Sequence, residues 1–144
     1  GRLAKDCPTI RAIKEAGGKP ERVDAIRQVV PANFEILSGD DGMTVEFMKR
    51  SAIGVVSVAS NLMPAEVKGL VDAAARKDWK KAEELNHKYA GVFRDLFIES
   101  NPGPVKAAMA AKGWLADELR LPLVPITQAS RDKLFRTLKE AGLA

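Results

Sequence analysis

Three short, mostly apolar runs that contain β-branched residues constrain the fold of this chain more than any other feature. They lie at residues 9–18, 34–37 and 53–58; Pro8 and Gly17 bound the strand in the first, and residues 38–42 close the second. Such runs are typical of buried strands, and their separation of about twenty residues is typical of alternating strands and helices. Together they predict a parallel sheet covered by helices, and therefore an α/β fold.

The segments between these runs have helical spacing. Pro20 suits the first turn of a helix, and this helix is predicted to end near Pro31. A second helix is predicted over residues 43–50, and residues 1–6 are predicted to be the last turns of a helix that begins upstream. The predicted buried positions of these two connecting helices are Val23, Ile26, Val29, Val30, Val45, Phe47 and Met48.

Polar residues follow all three predicted strands. Lys14 lies near the end of the first strand, Gly39-Asp40-Asp41 follows the second, and residues 57–61 end and follow the third. In parallel α/β folds the carboxyl ends of the strands lie on one rim, where ligand chemistry takes place. The sequence therefore predicts one functional rim that contains all three segments.

Lys14 is the candidate catalytic residue on this rim. Side chains alternate along a strand, so Ile10, Ala12 and Lys14 are predicted to share one face. If that face lines a barrel, burial disfavours the charged ammonium. A neutral amine is a nucleophile that forms a Schiff base with a carbonyl substrate. The alternative is a lysine at a strand end whose ammonium simply extends into solvent.

The remainder of the chain is predicted to be helical. Helices are expected over 64–76, from Trp79 to about Leu96 with Asp78 as the cap, from Pro102 or Pro104 to about Lys112, and from a Ser130 cap to about Ala141. Residues 119–125 contain two prolines and are predicted to be extended.

Three parallel strands leave two sheet edges unpaired, whereas a (β/α)8 barrel has eight strands. Residues 1–63 are therefore predicted to be the last three strands and helices of a larger barrel, and residues 64–144 the final barrel helix and a C-terminal helical extension.

Composition narrows the possible functions. The 23 basic residues are dispersed among 19 acidic ones, without the blocks or interleaved aromatics of nucleic-acid binding proteins. No run is long enough to span a membrane, and the polar start predicts no secretory signal.

Cys7 and His87 are each the single residue of their type, which predicts a reducing cytoplasm and no metal site. Asp40 and Asp41 are predicted to stabilise a turn and helix start rather than bind metal.

Five segments in order give the chain a specific resemblance. With these segments it resembles the C-terminal half of the dihydrodipicolinate synthase family of class I aldolase-type lyases, over nearly all of its 144 residues. The segments are Ile13-Lys14-Glu15-Ala16, Leu37-Ser38-Gly39-Asp40-Asp41, Gly54-Val55-Val56-Ser57-Val58, Asn101-Pro102-Gly103-Pro104-Val105-Lys106 and Leu119-Arg120-Leu121-Pro122.

This resemblance implies a condensation of pyruvate with L-aspartate-4-semialdehyde to 4-hydroxy-tetrahydrodipicolinate in lysine biosynthesis. Lys14 matches the family's Schiff-base lysine. Gly39 and Val56 match positions that line and hold the pyruvate site. The resemblance implies a cytoplasmic homotetramer that requires no cofactor.

The resemblance also implies that part of the site lies elsewhere. The family's tyrosine proton relay, its threonine pair and the arginine that binds the second substrate all lie upstream of the matched half. Tyr89, the single tyrosine, matches none of them. The chain is therefore expected to be inactive without the N-terminal half of the barrel.

Two alternatives are open at this point. One is a related pyruvate-dependent aldolase that acts on sialic acid or on 2-keto-3-deoxy sugar acids, although the Ile-Lys-Glu-Ala and Ser-Gly-Asp-Asp segments favour the synthase. The other is a non-catalytic half-barrel that self-assembles through its exposed sheet edges.

Overall fold

The computed structural model describes residues 1–143 and contains a parallel sheet of three strands. The strands β1 (Ala12–Glu15), β2 (Glu35–Ser38) and β3 (Gly54–Val55) lie side by side in sequence order. Ile13 pairs with Ile36 and Lys14 with Leu37, while Leu37 pairs with Gly54. The predicted α/β arrangement with parallel strands is thus confirmed.

Seven α-helices are found within residues 1–143. In chain order they are α1 (Arg2–Asp6), α2 (Glu21–Arg27), α3 (Thr44–Lys49), α4 (Pro64–Ala75), α5 (Trp79–Asp95), α6 (Gly103–Ala111) and α7 (Gln128–Glu140). A single 3₁₀ turn (Ala59–Asn61) follows β3. None of these helices is both long and apolar enough to cross a membrane.

One apolar core joins the strands to the helices. Ile36 of β2 and Phe47 of α3 are fully buried, and they belong to the same cluster as Leu70 of α4, Val92 of α5 and Leu134 of α7. The predicted burial of Val45, Phe47 and Met48 is confirmed. The proposed division of the chain after residue 63 stays a prediction, since packing is continuous through the core.

The second helix is shorter than predicted. It ends at Arg27, and the N–H of Val29 donates to the carbonyl of Ile26 in a tighter turn. Proline disfavours the helical conformation of the residue before it, so Pro31 limits the helix earlier than expected. Val29 is consequently 61% exposed, and its predicted burial is wrong.

The third strand is also shorter than the predicted 53–58, because the chain turns away after Val56. The N–H groups of Ile53 and Val56 still donate to the carbonyls of Ile36 and Ser38, at 2.9 and 2.8 Å. Beyond them, the N–H of Val58 donates to the carboxylate of Asp41 instead of to a neighbouring strand.

The cap of α7 differs from the prediction. Ser130 lies inside the helix and donates its N–H to Oγ1 of Thr127, which is the residue that caps the helix. Thr127 is extended and is fixed by Glu99, whose Oε1 accepts both its N–H and its hydroxyl. The predicted Asp78 cap of α5 is confirmed, because its side chain accepts the N–H of Lys81 at 3.1 Å.

Candidate functional site at the carboxyl ends of the strands

Lys14, Gly39 and Val56 lie on one face of the sheet. Side chains alternate along each strand, and Lys14 is paired with Leu37, two residues before Gly39. Leu37 is in turn paired with Gly54, two residues before Val56. The three predicted site residues therefore lie at or directly after the ends of three neighbouring strands, on one face at the carboxyl end of the sheet.

Gly39 packs directly against the alkyl chain of Lys14. A Cβ atom at position 39 would lie 3.0 Å from Cε and 3.1 Å from Cγ of Lys14, and 2.6 Å from Cβ of Ala16. At these separations, a side chain at position 39 would force Ala16 and the Lys14 stem to shift. Position 39 thus favours glycine, because the Lys14 side chain crosses over its backbone beside Ala16.

Lys14 is exposed within residues 1–143, and its burial, which is expected if this face lines a barrel, stays a prediction. Ala12 and Glu35, which lie on the same face, are exposed too, and Val56 is 44% exposed. The opposite face is covered by helices, with Ile36 and Ser38 fully buried. The physical reason is that no described element packs over the face that contains Lys14.

The two aspartates after β2 build the rim. Oδ1 of Asp40 accepts the N–H groups of Gly42 and Met43, at 2.9 and 3.3 Å, and so holds the turn that leads into α3. Oδ2 of Asp41 accepts the N–H groups of Val58 and Ala59, at 3.0 and 3.1 Å. The prediction that this pair stabilises a turn is confirmed, and Asp41 also joins the loops after β2 and β3.

The polar residues after β3 bond their own loop. Oγ of Ser57 accepts the N–H of Ser60 at 2.7 Å, and the Asn61 amide donates to the carbonyl of Val58 at 3.0 Å. Both side chains therefore order the loop backbone. Over residues 1–143, no three His, Cys, Asp or Glu side chains converge as metal ligands.

Sequence reasoning missed a buried carboxylate beside Lys14. Glu15 is 4% exposed and lies on the face opposite to Lys14. Its Oε1 accepts the N–H of Gly17 at 2.7 Å and Nε of Arg22 at 2.8 Å. The Arg22 hydrogen bond, supported by that from Gly17, lowers the pKa of Glu15 although burial acts in the opposite direction. The signal for this cluster was an acidic residue two positions before a glycine pair.

The chain is similar to one protein family over nearly its whole length. The model of the dihydrodipicolinate synthetase family matches residues 1–141. A 4-hydroxy-tetrahydrodipicolinate synthase of Koribacter versatilis is 43% identical over 143 residues, which are 99% of this chain and 47% of that protein. The chain thus spans about half the length of the curated relatives it matches.

Solved structures of such enzymes superpose closely on this chain. The synthase of Methylacidiphilum fumariolicum SolV has a TM-score of 0.96 at 44% identity, over 98% of this chain and 47% of that one. The chloride-inhibited synthase of Acinetobacter baumannii, solved in complex with pyruvate, has a TM-score of 0.94 at 37% identity, over 99% of this chain and 49% of that one. The sheet and helices of this chain therefore form part of a (β/α)8 barrel, as predicted.

Proposed function

Because the chain belongs to the dihydrodipicolinate synthetase family, whose members are lyases, we propose that Lys14 is the amine that forms a Schiff base with pyruvate. The proposed reaction condenses pyruvate with L-aspartate-4-semialdehyde to 4-hydroxy-tetrahydrodipicolinate in lysine biosynthesis. The observation that carries this proposal is the contact between Lys14 and Gly39, where the lysine side chain crosses a glycine at the rim of the sheet. The pyruvate complex of the Acinetobacter baumannii relative supports the choice of ketone.

The chemistry follows from the amine. The neutral nitrogen of Lys14 attacks the keto carbon of pyruvate, and loss of water leaves an iminium. The iminium withdraws electrons, so a methyl proton leaves and an enamine forms. The enamine carbon then attacks the aldehyde of the second substrate, whose oxygen takes up a proton to become the 4-hydroxyl group. The amino group of that substrate next attacks the iminium carbon, which closes the ring and expels the Lys14 amine, so that the water lost in the first step is the one water that the condensation releases. Gly39 and Val56 are proposed to hold pyruvate against the rim.

The exposed face of the sheet is the reason to propose a partner. Lys14 and Val56 are open to solvent, whereas a Schiff-base lysine works best where water is excluded. We propose that the N-terminal half of the barrel covers this face and supplies the remaining catalytic groups. Without it, this chain is expected to have no measurable synthase activity. A cytoplasmic homotetramer is the proposed assembly.

Borohydride trapping tests the proposal. The chain is mixed with the portion of the Koribacter versatilis synthase that lies outside the matched half, together with pyruvate and cyanoborohydride. Peptide mapping should place a reduced pyruvyl group on Lys14, and Lys14→Met should remove it. Exposed Lys19 is the control, because it lies in the turn after the same strand. Labelling that is equal at Lys14 and Lys19 would contradict the proposal.

A second candidate function rests on the sheet edges. Within residues 1–143, β1 and β3 each pair with one neighbour only, on the side of β2. Unpaired edges favour association, so a non-catalytic half that assembles with copies of itself is the alternative. Sedimentation of the isolated chain separates the two: a stable oligomer that never traps pyruvate favours assembly, whereas trapping upon addition of the other half favours the synthase.

A further inference from the structure

The turn after β1 is built around the carboxylate of Glu15. Oε1 accepts hydrogen bonds from the Gly17 N–H and from Nε of Arg22. A Cβ atom at position 17 would lie 2.6 Å from Oε1 and 2.9 Å from Cδ of Arg22. Only glycine leaves room for both contacts. The side chain of Glu15 therefore determines the path of the chain from β1 into α2.

Arg22 connects this turn to the next helix. It lies in the first turn of α2, and its guanidinium forms an ion pair with Glu15 although its side chain is 57% exposed. Oε1 of Glu15 thus accepts hydrogen bonds both from the backbone of its own turn and from a side chain at the start of α2. This arrangement fixes the end of the strand from the helix-covered side of the sheet.

A backbone hydrogen bond from the residue after β2 also fixes the end of β1 at Glu15. Its carbonyl accepts the N–H of Gly39 at 2.7 Å. Gly39 is the residue over which the Lys14 side chain passes. The side chain of Glu15 thus fixes the end of β1 from the helix-covered face, and Gly39 supports the Lys14 side chain on the open face.

We propose that Glu15 is a positioning residue for Lys14, which sets the direction of the amine by locking the turn between β1 and α2. This inference rests on the proposed function of Lys14. A lysine has a long and flexible side chain, so its terminal nitrogen is directed by the backbone at its base and by the surface over which it lies. When the turn loosens, the amine samples more directions and reacts more slowly. Small misplacements of a reacting group cost up to about 10²-fold in rate.

The test measures trapping of pyruvate on Lys14 in the chain reconstituted with the complementary half of the Koribacter versatilis synthase. The maximal trapping rate per folded molecule and the pyruvate concentration at half-saturation are compared for wild type and Glu15→Gln. We expect a maximal rate about threefold lower, because the neutral amide oxygen accepts the same two hydrogen bonds more weakly than a carboxylate. Half-saturation should change less than twofold, because misorientation affects the reaction more than pyruvate binding.

Asp95→Asn is the matched control. Asp95 is an equally buried carboxylate that also accepts from Nε of an arginine, but it lies between α5 and α7. A merely structural loss would lower stability in both variants and leave the trapping rate per folded molecule unchanged in both. If Glu15→Gln fails to fold, Arg22→Ala replaces it, with an expected rate about tenfold lower since the hydrogen bond and ion pair of Arg22 with Oε1 are lost altogether.

The outcomes are distinguishable. Equal maximal rates in wild type and Glu15→Gln would overturn the positioning role and leave the function of Lys14 intact. Absence of trapping in the reconstituted wild type would overturn the proposed function and this inference with it. A slow Glu15→Gln beside an unaffected Asp95→Asn supports both.

Discussion

Residues 1–63 contain an uncovered sheet face, whereas in residues 64–143 polar side chains join neighbouring helices and segments. In the helical region, side chains tie one element to the next: Asp95 is 1% exposed and accepts two hydrogen bonds from Arg94 and one from Thr137 of α7. Arg131 of α7 pairs with Asp117 of the preceding segment. The strand region covers one face of its sheet and exposes the face that contains Lys14.

The contrast indicates that the residues that stabilise the fold and the residues that direct the chemistry of Lys14 lie in different parts of the chain. Substitutions in the helical region should act on the free energy of unfolding and leave the reactivity of Lys14 unchanged. Substitution of the exposed Lys14 side chain on the open face of the sheet should act on reactivity and have little effect on unfolding.

Lys14→Met should separate the two properties most clearly. In the reconstituted barrel we expect a loss of condensation activity of about 10³-fold or more, because the covalent route is gone. The unfolding free energy should change by less than about 0.5 kcal/mol, since the side chain is exposed. Activity assays and urea unfolding measure the two effects. Lys19→Met, a change in an exposed lysine of the adjacent turn, should alter neither. Retained activity in Lys14→Met would contradict the assignment of the covalent chemistry to Lys14.

Asp95→Asn should show the opposite behaviour. We expect a loss of about 2–3 kcal/mol at pH 7, because the hydrogen bonds from Arg94 and Thr137 then meet a neutral group. The Arg94 guanidinium, with Thr137 and Lys133, lowers the pKa of Asp95 in the folded chain. The stabilisation is therefore present above the unfolded-state pKa of about 4 and is lost as pH falls through the lower folded-state pKa.

Urea unfolding from pH 7 to pH 2 checks this sign. The gap in stability between wild type and Asp95→Asn should narrow steadily below about pH 4. A gap that widened on acidification would contradict the assignment. Trapping at Lys14 in the folded variant should match wild type.

Alanine at two glycines should give effects of opposite sign. Gly39→Ala is expected to cost about 1–3 kcal/mol because its Cβ would collide with Ala16 and the Lys14 stem. Gly69→Ala, inside α4, has open space at its Cβ and should stabilise by about 0.5–1 kcal/mol through reduced backbone entropy in the unfolded chain. Thermal unfolding measures both. Gly39→Ala should also slow trapping at Lys14, and an unchanged rate would show that the contact does not direct the lysine.

Thr127→Ala should give the smallest effect. Loss of the cap of α7 is expected to cost about 1 kcal/mol. Ser130→Ala, which removes a hydroxyl inside the helix, should change stability by less than about 0.5 kcal/mol. Urea unfolding of the two variants compares them directly. A larger loss of stability in Ser130→Ala than in Thr127→Ala would instead indicate that Ser130 caps the helix, as the sequence pattern predicted.

Features that depend on residues close together in the chain could be predicted from the amino-acid sequence. The three strands, the buried side of α3 and the Asp78 cap follow from periodicity and from contacts within a few positions. The rim that brings Lys14, Gly39 and Val56 together followed as well, because parallel strands place their carboxyl ends on one side. The five motif segments were enough to indicate the family.

The tertiary structure alone decided the features that join distant residues. Asp41 reaches Val58 across 17 positions, and Glu99 reaches Thr127 across 28, which moves the cap of α7 away from Ser130. The exposure of Lys14 was decided in the same way, because burial depends on which elements pack over a face. Local patterns specify the face to which a side chain belongs, whereas its covering is set by the rest of the fold.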